Sequence, residues 1–139
     1  MDYLFENFTF PPDQSFTIRR DALTMKKYTH LRSNENFELT LMENCMGKRF
    51  IGDSVEDFYA PELILIGSYV PHCWQFYKSI DRRKNPYATI IHFFPGFIGE
   101  DFLQKPEARG IKLLFEAAKR GVHFYGSTVP EARKLLNFI

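Results

Sequence analysis

The stretch Gly47–Trp74, GKRFIGDSVEDFYAPELILIGSYVPHCW, decides how this chain is read. KRFIG (48–52) and SVEDFY (54–59) flank Gly52-Asp53, and glycine accepts the positive φ that a tight hairpin turn demands. ELILIG (62–67) is a short apolar run, and HCWQF (72–76) alternates, so His72, Trp74 and Phe76 face one way while Cys73 and Gln75 face the other. Further runs lie outside this stretch: FTIRR (16–20), FELTLM (37–42) and YATIIHFF (87–94), with turn-formers such as SNEN (33–36) and RRKNP (82–86) between them. Several short strands separated by turns read as a β-sandwich or barrel.

Composition agrees. Of 139 residues 17% are aromatic, and rings pack well on a pleated surface. One domain with a real core fits this length. Eighteen Lys and Arg against seventeen Asp and Glu leave a net charge of +1. That balance lacks the basic stripe a nucleic-acid binder needs to displace counterions. The two cysteines, Cys45 and Cys73, form neither a disulfide framework nor a C-x-x-C pair. MDYLFENFTF lacks the basic-then-apolar plan of a signal peptide, and no apolar run approaches the ~20 residues that span a bilayer. A cytoplasmic protein is expected.

Near residue 97 the pattern changes from strands to helices. Pro106 opens a segment with Ala108, Ile111, Leu114, Phe115 and Ala118 at helical spacing, and Gly121 is a stop signal. Thr128-Val-Pro-Glu131 has the form of a capping box opening a second helix, whose apolar side is read as Ala132, Leu135, Leu136 and Ile139. This reading places a β-barrel over 1–96 and a helical segment over 97–139.

In FELTLM, Glu38, Thr40 and Met42 share one face. A glutamate there is expected near the barrel interior, where an unpaired carboxylate is costly, so His72 and His30 become candidate partners. No phosphate-binding glycine loop occurs. His92 and His123 receive no role at this stage.

The run from Phe37 to Trp74 resembles the cupin sensor domain at the N-terminus of AraC-type bacterial transcription regulators. Members commonly carry an ELTYI-like strand, a GKRFIGDS hairpin and a strand closing on G-x-x-x-PHCW. FIGEDFL, PEARGIKLLFEAAKRGVHFYG and STVPEARKLL resemble the segment that follows the barrel, so the likeness spans most of residues 28–139. The resemblance implies a double-stranded β-helix (jelly-roll-like) barrel followed by two helices that often mediate dimerisation. It also implies a DNA-binding pair of helix-turn-helix motifs beyond this chain. The implied role is non-enzymatic: sensing a small-molecule effector, a sugar or an aromatic compound, as a homodimer. Contact with DNA would come only through the missing domain, and no membrane is involved.

Cupin enzymes hold a metal through two histidines and a glutamate of one motif and a histidine of a second. Placing that glutamate on Glu38 and the last histidine on His72 puts Arg32 and Asn34 where the other two histidines would stand. Arginine has no lone pair to give. No cofactor is therefore expected. The alternative is a small metal-dependent enzyme using His30, Glu38 and His72. The ligand-site candidates are Tyr28, His30, Arg32, Glu38, Met42, His72 and Trp74; the dimer candidates are Leu135, Leu136 and Ile139.

Overall fold

In a computed structural model that describes residues 2–24 and 30–139, the expected fold class is the one observed: a β-barrel followed by helices. The strands are β1 (Tyr3–Phe5), β2 (Phe16–Ala22), β3 (Leu31–Ser33), β4 (Phe37–Glu43), β5 (Cys45–Ile51), β6 (Ser54–Tyr59), β7 (Glu62–Ile66), β8 (His72–Ser79) and β9 (Tyr87–Phe93). Helix α1 (Glu100–Leu103) and a 3-10 turn at Pro106–Ala108 lead into α2 (Arg109–Ala117), which tightens to 3-10 over Ala118–Arg120. Strand β10 (Val122–Phe124) then precedes α3 (Thr128–Leu136).

Two five-stranded sheets face each other, one ordered β1-β3-β8-β5-β6 and the other β10-β7-β4-β9-β2. The hairpin read at Gly52-Asp53 forms as a two-residue loop, with Ile51 opposite Ser54 and Gly52 at φ 58°. Alternation sends Met42, Ile64, Ile66 and Ile90 of one sheet inward against Ile51, Phe58, Trp74 and Phe76 of the other. On the opposite side of β4 and β7, Phe37, Leu41, Leu63 and Leu65 pack under Ala118, Val129 and Leu136 of the helical segment. Strand β7 is thus covered on both faces, which explains why ELILI is a continuous apolar run rather than an alternating one.

The helical segment is tied into this sheet, since β10 pairs antiparallel with β7. The Gly67 N–H donates to the Ala118 carbonyl at 2.8 Å, and a Cβ on Gly67 would stand 2.9 Å from that oxygen. Only glycine lets the end of α2 sit that close. Arg20 donates to the Leu136 carbonyl at 2.7 Å and so satisfies the C-terminus of α3.

Two details of the last helix differ from the sequence reading. Its N-cap is Ser127 in a helical conformation with no side-chain cap bond, so the Thr128–Glu131 capping box does not form. The backbone N–H of Glu131 is instead taken by the Ser127 carbonyl at 3.2 Å, which leaves Thr128 inside the first turn. The buried stripe is Val129, Ala132 and Leu136, packed on the protein's own sheet. Leu136, read as a dimer contact, is therefore core, whereas Leu135 and Ile139 point to solvent at 65% and 53% exposure. The spacing 129, 132, 136 keeps one helical face against the sheet and rotates Leu135 off it.

Gly47 sits at the β5 irregularity opposite Phe76, where an added Cβ would lie 1.9 Å from the Gln75 carbonyl oxygen. Gly47→Ala is expected to cost about 3 kcal/mol and lower the melting temperature by about 10 °C. At Gly52 an added Cβ meets nothing within 4 Å. Gly52→Ala should cost only about 1 kcal/mol, from φ strain alone. Thermal unfolding of the two variants checks the contrast, and equal melting temperatures would refute it.

Candidate functional site

Two inward glutamates organise the barrel's polar interior. Glu38 is the second residue of β4 and is 6% exposed. Its Oε2 accepts from His72 Nε2 at 3.0 Å and His92 Nε2 at 3.1 Å, while Oε1 accepts from Thr40 Oγ1 at 2.8 Å. His72 also directs Nδ1 at the Val70 carbonyl, 2.8 Å away. Both ring nitrogens of His72 thus face acceptors, an arrangement that suits the doubly protonated imidazolium.

The electrostatics follow from that geometry. Burial would raise the Glu38 carboxyl, but the adjacent His72 charge and the bonds from His72 and His92 outweigh it, and the group is held well below the ordinary carboxylate value. Burial would lower His72, but the Glu38 charge and hydrogen bond, with the Val70 carbonyl, outweigh it and raise the imidazole. The pair is a buried salt bridge between the sheets: β8 supplies His72 and β4 supplies Glu38.

At the other end of the barrel Glu62 repeats the pattern. It is 2% exposed, receives the Arg49 guanidinium on one oxygen and accepts from Trp74 Nε1 at 3.0 Å on the other. Arg49 also reaches Glu56 at 2.6 Å. The Trp74 ring lies in the core, 2% exposed, with its N–H engaged.

The structure brings together Arg32, Glu38, His72 and Trp74 of the sequence-based candidates, around one small cavity. Met42 is wholly buried core. His30 lies apart, 44% exposed and 3.9 Å from Asp2, so the set His30–Glu38–His72 does not assemble. Tyr28 lies outside the described residues. Sequence reasoning missed His92, Arg19 and Glu6, which complete the cavity wall. For His92 a signal was present: alternation in ATIIHFF puts it on the inward face with Ala88 and Ile90, and β9 sets it opposite Glu38. Phe8 then stacks over the His92 ring at 4.0 Å, closing that side.

The cavity measures about 20 Å³, room for one water molecule and not for a sugar or an aromatic ring. The side chains also fit a metal ion poorly. Both imidazole Nε2 atoms converge on the same Glu38 oxygen, and two guanidiniums, Arg19 and Arg32, line the space. Among the described residues no group of three or more His, Cys, Asp or Glu is disposed to hold a metal ion. Both thiols are buried and held in the protonated form: burial raises Cys73, and burial followed by the Glu62 charge pushes Cys45 up to about 12.

The paired groups make stability depend on pH in two directions. The Glu38 contribution is present above the ordinary carboxylate value of 4.5 and is lost as pH falls through its depressed pKa. The His72 contribution is present below 6.5 and is lost as pH rises through its raised pKa. The urea midpoint is therefore expected to be highest between these limits and to decline on both sides. Glu38→Gln should abolish the alkaline decline, and Glu38→Ala should cost about 1–3 kcal/mol, because His72 without its counter-charge turns neutral in the buried site and lacks its acceptor. An alkaline decline unchanged in Glu38→Gln would refute the pairing.

No family model and no curated protein matches this chain. Among solved structures it is similar to a cupin 2 conserved barrel domain protein from Rhodopseudomonas palustris, with 13% identity and a TM-score of 0.45. The alignment covers 62% of this chain and 57% of that one, so the chain spans little more than half the length of that structure.

Proposed function

We propose that this chain is the non-enzymatic sensing and dimerisation part of a cytoplasmic AraC-type transcription regulator, acting on DNA through a domain outside the chain. The observation that carries the reading is the state of the barrel interior. An enzyme needs a substrate-sized space beside its catalytic groups. Here the acid and imidazole groups are spent on one another around a cavity of about 20 Å³. The sequence likeness through GKRFIGDS, PHCW and the helical segment supports the same reading.

The alternative, a metal-dependent enzyme using His30, Glu38 and His72, loses support because His30 stands at the surface beside Asp2. Stoichiometric iron, manganese, nickel or zinc in purified protein, lost in His72→Ala, would restore it.

Because the Glu38 end of the barrel is closed by its own side chains, this reading assigns effector recognition to outer clefts, and self-association to exposed apolar groups of the helical segment. Leu135, Phe138 and Ile139 are 65%, 82% and 53% exposed and lie together on and just after α3. Sedimentation of the chain at micromolar concentration is expected to show a dimer, and Leu135→Lys should weaken it by about tenfold or more. Because Leu135 touches solvent rather than core, the variant should keep its melting temperature. A monomer at every concentration, or a dimer indifferent to Leu135→Lys, would refute dimerisation through this surface.

A further inference from the structure

A cleft of about 500 Å³ lies where the helical segment meets the barrel, within the size range of small-molecule sites. Its floor is apolar: Phe115 of α2 meets Phe37 of β4 edge-on at 5.0 Å, and Leu103 of α1 is buried beside them. Lys112 on α2 and Glu100 at the start of α1 line the cleft, and among the described residues neither side chain has an ion-pair or hydrogen-bond partner. The other two charges there, Lys119 and Glu116, already pair with each other at 2.8 Å. The cleft therefore holds one free charge of each sign above a hydrophobic floor.

A separate feature marks the same place. Tyr69 lines the cleft with φ 63°, a left-handed conformation that is uncommon for a ring-bearing residue, and its side chain is largely exposed. The strain is held by its N–H, which donates to the Asn34 carbonyl at 2.7 Å. Backbone strain that the surroundings over-determine concentrates at ligand sites.

We propose that this cleft binds a small zwitterion with an apolar body, of the class of an α-amino acid with a large hydrophobic side chain. Its carboxylate would meet Lys112, its ammonium Glu100, and its side chain the floor of Phe37 and Phe115. A simple anion or cation would satisfy one free charge and leave the other opposed. The proposal deepens the sensing reading by naming the effector class, and it places the ligand on α2, whose end is tied to the barrel at Gly67. A ligand there can bias the helices only through different affinities for two of their arrangements.

The test is calorimetric titration of the chain with L-phenylalanine and L-leucine, and with 3-phenylpropionate and 2-phenylethylamine as analogues lacking one charge. At least one amino acid should saturate with Kd below about 1 mM, and for L-phenylalanine each analogue should bind about tenfold more weakly. Lys112→Ala and Glu100→Ala should each weaken amino-acid binding by about tenfold without changing the melting temperature of the free protein, whereas Glu38→Gln should leave it unchanged. Absence of saturation by both amino acids overturns the proposal. So does equal binding of the analogues, or affinity that ignores Lys112→Ala. The assay reads binding alone, so its failure is distinct from failure of the dimer expected of a regulator.

Discussion

A carboxylate can sit inside an apolar barrel only where charge and hydrogen bonds replace the water it gives up. This protein meets that constraint twice. Glu38 and Glu62 both belong to the sheet that the helices cover, and each is met by a cation from the facing sheet, His72 in one case and Arg49 in the other. Glu62 stands opposite Met42 in the ladder and Glu38 opposite Ile66, so the two clusters lie at opposite ends of the same strand pair. Between them the sheets close on Ile64, Ile90, Trp74 and their neighbours. Removing one partner would leave a buried charge unmet, which costs far more than an intact pair contributes.

The same arrangement shapes function. Around Glu38 the imidazoles of His72 and His92 and the Thr40 hydroxyl are bonded to its carboxylate, and the cavity beside them fits a single water. More room lies outside, in the cleft against α1 and α2, and exposed apolar surface lies around the end of α3. Both belong to the helical segment, which is joined to the barrel through β10 and the close approach at Gly67. Helix α2, which lines the cleft, also carries the exposed Leu113.

Much of the barrel was legible because β-structure writes itself in a period of two. The alternation of FELTLM and HCWQF sorted inward from outward side chains, and Gly52-Asp53 marked its hairpin from turn chemistry alone. His92 escaped notice because it sits among apolar residues, where one histidine looks like another core position; its meaning came from lying opposite Glu38. His30 looked like a partner by nearness in sequence, yet its side chain is half exposed beside Asp2. The face of α3 was misjudged for a similar reason. Leu135 and Leu136 are equally apolar, and only the position of the sheet selects between them.

By itself, then, the sequence determined the longer strands β2 and β4 to β9 but not the three-residue strands β1, β3 and β10, together with the inward faces, the hairpin and the turn to helices near residue 97, because local periodicity and turn residues act within a few positions of the chain. It also showed that Glu38 would need a partner. Tertiary structure alone decided which partner, whether any room remained beside it, and which helix face was left to solvent. Those outcomes depend on groups far apart in the chain: 34 residues separate Glu38 from His72 and 54 separate it from His92. No local pattern encodes such distances; the closing of one sheet on the other does.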